Sequence, residues 1–286
     1  MNARTLSPKR LQYRFRDFWK KYRTVYFSVI GLGFVIFLII IALGAQIIAP
    51  YDPTQIDLDK EFMPPGPDHL LGTDHLGRDM LSRIIYGTRI VLLVGAISTA
   101  IMTVVGLLVG LVAGHFGGFI DEILMRVTDV FLIIPALPLV LVFVAVFGPS
   151  VFNVIVMIGI LSWPALARIV RAETLSIMGR DFIAAEKTMG ASHGRTIFRH
   201  VLPNALGSVF VYAALGIANA ILMEATIDFL GLAPISVSWG FDLSIALSYW
   251  TRGTWWMAFF PGLFILLTCL SFFLISDGLS QTLKIE

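Results

Sequence analysis

Glu224 and Asp228 lie four residues apart at the end of an apolar run, so on a helix their carboxylates share one face. Carboxylates embedded in a membrane protein often mark ion routes and proton relays. Three uses fit this pair: packing or water contact at a helix end, lining of a translocation path or its outer gate, and proton relay. Arg126 and Asp129 open another apolar run and Asp277 follows the last one, so the centre of the bilayer is nearly free of charge. That distribution argues against coupling to an ion gradient. The five histidines, His69, His75, His115, His193 and His200, have no metal-ligand spacing, and the single Cys269 permits no internal disulfide. No metal site is expected. Residues Gly190–Thr196 read GASHGRT, the nearest approach to a phosphate loop, but the glycine spacing is wrong and the lysine is missing. With no H-E-x-x-H motif and no nucleophile–base constellation, the chain is expected to be no enzyme, to bind no cofactor and to hydrolyse no ATP by itself.

These residues are carried by a chain of 286 residues that is 57% hydrophobic and 14% charged. Soluble domains sit nearer 45–50% and 25%, so the composition specifies an integral, all-α membrane protein. A helix needs about 20 apolar residues to cross a bilayer. Six segments qualify: Val25–Ala49, Ile90–Ala113, Val130–Phe147 with Pro135 and Pro138 expected to kink it, Val151–Ala167, Ala205–Met223 and Trp255–Ile275. The first apolar run is 25 residues long, beyond the 7–15 of a signal peptide, and reads as a retained span.

Orientation follows from basic residues close to the spans. Met1–Thr24 holds eight Lys or Arg against Asp17 alone, and Arg168–Arg199 holds six, which puts both on the cytoplasmic side. The loop from Pro50 to Tyr86 has seven acids against Lys60, Arg78 and Arg83 and falls outside. The chain thus divides into a basic cytoplasmic segment 1–24, a first transmembrane helix 25–49, an extracytoplasmic loop 50–87, a five-helix domain 88–279 and a cytoplasmic tail 280–286. In the loop, Thr73 or Asp74 is expected to cap an interfacial helix starting near His75, with Asp79 and Arg83 paired one turn apart. Gly106, Gly110 and Gly114 recur every four residues and suit close helix packing, within the chain or against a second subunit.

Between the fourth and fifth spans lies a polar insert, Arg180–Asn204, with four Lys or Arg, two acids and two His. Asp181–Met189 is expected to form a short helix stopped by Gly190. Ser192 is expected to cap a second short helix ending before Pro203. Lipid contact by a basic loop is the plainer use of such a segment.

The order A-A-E-x-x-x-G, nine residues, then H-x-L-P resembles the E-A-A signature of ABC importer permeases. Ala184, Ala185 and Glu186 take the E-A-A places, Gly190, Leu202 and Pro203 match, and His200 stands at the Ile place. "HLLGTDHLGRDMLSRIIYGTRI" at His69–Ile90, which holds Gly72, Thr73, Asp74, Gly77, Arg78 and Asp79, is similar to the C-type subunits of dipeptide, oligopeptide and nickel importers. So are "GHFGGFIDEILMRVTDVFLIIP" at Gly114–Pro135, "WWMAFFPGLFILL" at Trp255–Leu267 and "FFLISDGL" at Phe272–Leu279.

The resemblance implies the type I importer transmembrane fold in a bacterial or archaeal cell membrane. Segment 180–203, including Ala191 and Ser192, would be the coupling element. The implied partners are a homologous second permease subunit, two ABC ATPases that bind ATP and Mg, and an extracytoplasmic substrate-binding protein, with membrane lipid around them and no nucleic acid. The cargo that the resemblance implies is a di- or oligopeptide, with a nickel chelate or an oligosaccharide as the alternative. A secondary transporter and a membrane scaffold or receptor are the competing readings.

Overall fold

The computed structural model describes residues 16–232 and 237–284, and their regular structure is helical. Residues 1–15 of the basic amino-terminal segment and 285–286 of the tail lie outside the described residues. The principal helices are α1 (Tyr26–Ile48), α2 (Met80–Phe116), α3 (Gly118–Ile133), α4 (Ala136–Phe147), α5 (Val151–Met178), α6 (Asp181–Thr188), α7 (His193–Thr196), α8 (Leu202–Ile227), α9 (Trp239–Ser248) and α10 (Trp255–Lys284). Among the described residues, five helices are long and apolar enough to cross a membrane, or six if α3 and α4 form one broken span.

At 37 residues, α2 is the axis of the bundle. At 1.5 Å per residue it is about 55 Å long, more than the ~30 Å hydrocarbon core, so the sequence-predicted Ile90–Ala113 is only its inner stretch. Its three spaced glycines face α5. A Cβ on Gly110 would lie 2.6 Å from the Ala167 carbonyl oxygen, and one on Gly114 would lie 2.6 Å from Thr174 Cβ. A Cβ on Gly106 would lie 3.0 Å from both Leu166 Cβ and the Trp163 carbonyl oxygen. The contact made by this stripe is therefore internal to the chain, and α5 covers it.

The expected third span is not one kinked helix. Helices α3 and α4 meet at 80° across Ile134 and Pro135. A residue before proline is driven to extended geometry, and Ile134 has ψ 123°. Pro138 then falls in the first turn of α4, where a missing N–H costs nothing. The fourth span runs well past Ala167 to Met178 despite Pro164.

Pro203 does not end a helix either. The backbone passes from α7 through a π turn, Ile197–Val201, into α8, with Pro203 in the opening turn. Leu202 N–H reaches back five residues to the Ile197 carbonyl. The wider turn accommodates a residue that can donate nothing. His193–Leu232 is thus one helical stretch of 40 residues, with no break at Pro203 and a kink only near its far end, at Gly231 (φ 85°, ψ 13°).

Candidate functional site

Segment 180–203 is one short helix hinged to the tip of a span. Helix α6 opens with Asp181, an acid where the helix dipole favours one. It anchors through Ile183, which is fully buried in the cluster holding Ile177 and Val201. Gly190 adopts φ +78°, and the Ala191 N–H bonds the Glu186 carbonyl at 3.2 Å. This six-to-one bond across a left-handed glycine is the Schellman arrangement that closes helix carbonyls. Ser192 Oγ then accepts from the Arg195 N–H at 3.4 Å and opens α7.

Two contacts fold the halves together. His200 Nε2 lies 3.0 Å from Glu186 Oε2 across the Gly190 turn, and the Phe182 ring lies against His200. His193 Nδ1 meets His115 Nε2 at 2.9 Å, which ties α7 to the end of α2. Between α6 and α7 opens a cleft of about 400 Å³ lined by Phe182, Glu186, Met189, Arg195, Arg199 and His200. Met189 is 80% exposed and Phe198 71%. Ala184, Ala185 and Ser192 face solvent, and Pro203 is exposed beside the half-buried Leu202. The side chain of Lys187 lies outside the described residues. An exposed surface of apolar knobs and arginines on a capped, anchored helix suits docking onto another protein.

The Gly72–Asp79 motif is a knot of turns, not an interfacial helix. Gly72 (φ +78°) and Gly77 (φ +71°) flank a bridge between Thr73 and Asp79. Asp74 Oδ1 accepts from the N–H groups of Leu76 and Arg78, and Oδ2 from Arg78 Nε at 2.6 Å. Thr73 Oγ1 donates to the Lys60 carbonyl at 2.6 Å. Helix α2 starts only at Met80, because Asp79 is its cap and accepts from the Ser82 N–H at 2.8 Å.

The expected pairing of Asp79 with Arg83 is also replaced. Asp79 Oδ1 bonds His69 Nδ1 at 2.9 Å. Arg83, fully buried, donates to Asp242 Oδ1 through Nε at 2.8 Å and Nη2 at 2.5 Å, and to the Pro53 carbonyl. Burial pushes the Asp242 carboxyl above its ordinary range, and the Arg83 guanidinium opposes that. Asp74 and Asp79, both 2% exposed, are framework and not solvating charge. Arg83 and Asp242 are 159 positions apart, so nothing local in the sequence signalled their pairing.

Glu224 and Asp228 do share a face, but both are 2% exposed. Asp228 accepts a hydrogen bond from Ser238 Oγ, the cap of α9. The structure thus places the pair inside the bundle, at the junction of α8 and α9. No group of three or more His, Cys, Asp or Glu able to hold a metal occurs among the described residues.

The geometry agrees with the comparisons. Residues 106–285 match the family model "Binding-protein-dependent transport system inner membrane component", and residues 14–65 match "N-terminal TM domain of oligopeptide transport permease C". The chain is 41% identical over 276 residues to the dipeptide transport system permease protein of Escherichia coli (strain K12), covering 94% of this chain and 92% of that one. It is 36% identical over 271 residues to the dipeptide permease of Bacillus subtilis (strain 168), covering 94% and 84%. The oligopeptide permease of the same Bacillus strain is 34% identical over 288 residues, covering 99% and 92%. With the helical bundle, the glycine-hinged segment and matches along nearly its whole length, the chain belongs to the inner membrane components of binding-protein-dependent transport systems, the permease subunits of ABC importers, and is a transport component, not an enzyme.

Proposed function

We propose that the cargo is a dipeptide or short oligopeptide and that ATP hydrolysis by two partner ATPases drives its import. The observation that carries this reading is the 41% identity to a dipeptide permease along 94% of the chain. In this reading the chain pairs with a homologous second permease subunit in a bacterial inner membrane. Both termini face the cytoplasm, supported by the eight basic residues among the first 24. Segment 180–203 seats in a cleft of an ATPase that binds ATP and Mg. The outer knot of Gly72–Asp79 meets the substrate-binding protein, and its buried ion pairs make it a stiff platform.

The test is reconstitution of the assembled transporter with its binding protein in proteoliposomes. ATP-dependent uptake of a radiolabelled dipeptide is expected, with unlabelled peptides competing. Uptake of nickel chelate or an oligosaccharide without dipeptide competition would overturn the cargo assignment.

The Glu186–His200 contact is a second point of test. Both residues stand where the E-A-A signature has Ala and Ile, so a polar contact takes the place of apolar packing. Partly exposed ion pairs contribute on the order of 1 kcal/mol or less, equivalent to at most about fivefold. Glu186→Ala and His200→Ile are each expected to lower uptake roughly two- to fivefold, and the double variant to regain most of it. If the double loss equalled the product of the two single losses, the side chains would act independently.

A further inference from the structure

Two clefts open along one side of α8. The inner, about 470 Å³, is lined by Glu173, Asn204, Ser208 and Tyr212 together with Ser280 of α10. The outer, about 420 Å³, is lined by Tyr212, Asn219 and Thr226 with Ser162 of α5. Tyr212 is common to both. Asn204, Ser208, Tyr212, Asn219 and Thr226 are spaced by four, four, seven and seven residues. At about 3.6 residues per turn these positions fall within roughly 80° of one another, while Glu224 falls on the far side of the helix.

This polar stripe runs through an otherwise apolar span, and Asn219 is exposed at the chain surface. Asn204 and Thr226 donate to carbonyls of their own helix, as does Ser162 on α5, and Ser208 donates to Glu173. Lipid hydrocarbon offers an amide no hydrogen bonds, so the exposed Asn219 is the group that requires a hydrated or polar neighbour. A second feature points to a ligand. Glu173 accepts from Ser208 through Oε1, while its buried Oε2 has no hydrogen-bond partner among the described residues. A carboxylate oxygen held in a polar cleft near the cytoplasmic end of α5 suits an ammonium group.

We propose that this face of α8 is the subunit's wall of the cargo route. Hydroxyl and amide groups there exchange hydrogen bonds with a peptide backbone, and Glu173 receives the cargo's amino terminus near the inner mouth. The Glu173 assignment rests on the peptide reading above, whereas the route assignment does not.

The test is thiol accessibility in the assembled transporter, in membrane vesicles, on a Cys269→Ala background. Asn219→Cys and Thr226→Cys are expected to react with a water-soluble, positively charged methanethiosulfonate at least about tenfold faster than Phe210→Cys, a residue exposed elsewhere on α8. Their rates should change severalfold when the ATPases are trapped with nucleotide. Rates no faster than at Phe210→Cys in either state would overturn the route and leave the face packed on a neighbour. For Glu173, the readout is uptake of a dipeptide relative to its N-acetylated form. Glu173→Gln is expected to shrink that preference at least threefold, and an unchanged ratio would overturn its role. If the natural transporter carries no dipeptide, the cargo reading and the Glu173 role fall together, while accessibility still decides the route.

Discussion

Gly190→Val is expected to reduce ATP-driven uptake at least about tenfold while the chain inserts and accumulates normally. No heavy atom lies within 4 Å of where a Cβ would sit on Gly190, so a side chain has room. The cost is conformational, because Gly190 holds φ +78°. A non-glycine residue forced into such geometry costs on the order of 1–3 kcal/mol, and a β-branched one sits at the upper end. The chain relieves it by leaving the left-handed turn, which breaks the Ala191-to-Glu186 bond and turns α6 away from α7. Asparagine tolerates this region, so Gly190→Asn should retain most activity, Gly190→Ala less, and Gly190→Val least. Uptake and ATPase stimulation of each variant check the ranking. Full activity in Gly190→Val would remove the turn from any coupling role.

The second large effect concerns the outer ion pair, and it is asymmetric. Asp242→Leu leaves Arg83 buried with a charge it cannot release. Removing one partner of a buried pair costs roughly 3–5 kcal/mol, and Asp74 Oδ2, 4.0 Å from Arg83 Nε, offsets part of it, so this variant is expected to lose stability and to aggregate more readily on detergent extraction. Arg83→Met leaves Asp242, whose carboxyl burial already favours holding a proton. That variant is expected to fold with a smaller loss, and Arg83→Met with Asp242→Leu to fall nearer the natural chain than Asp242→Leu alone.

The sign with pH follows from the direction of the shift. A carboxyl whose pKa in the fold lies above its unfolded value loses stability as pH rises through the folded value. Arg83→Met should therefore weaken progressively toward alkaline pH. Size-exclusion profiles and thermal unfolding across pH check both statements. Greater damage from Arg83→Met than from Asp242→Leu would refute the argument.

The spans were legible because hydrocarbon thickness writes itself into composition, and the Gly190 stop because few other residues adopt its φ. What escaped was set by partners distant in sequence. A capped helix start was legible, but at Thr73 or Asp74; the cap is Asp79, because Asp74 is taken up by the Leu76 and Arg78 amides. Pro203 reads as a stop from local rules, and only the π turn before it lets the helix continue. Glu224 and Asp228 drew attention as charges, yet the polar groups that α8 turns to the clefts are uncharged and reveal themselves only by period along the helix.

The continuity of His193–Leu232 has a mechanical consequence. A rod of 40 residues is about 60 Å long at 1.5 Å per residue, enough to reach from beyond one membrane surface to beyond the other. With a swivel at Gly190 and no loop at Pro203, a push on its cytoplasmic tip meets little lost motion. In the coupling reading proposed above, a stroke would be delivered to the far end, where Asp228 accepts a hydrogen bond from Ser238 at the start of α9.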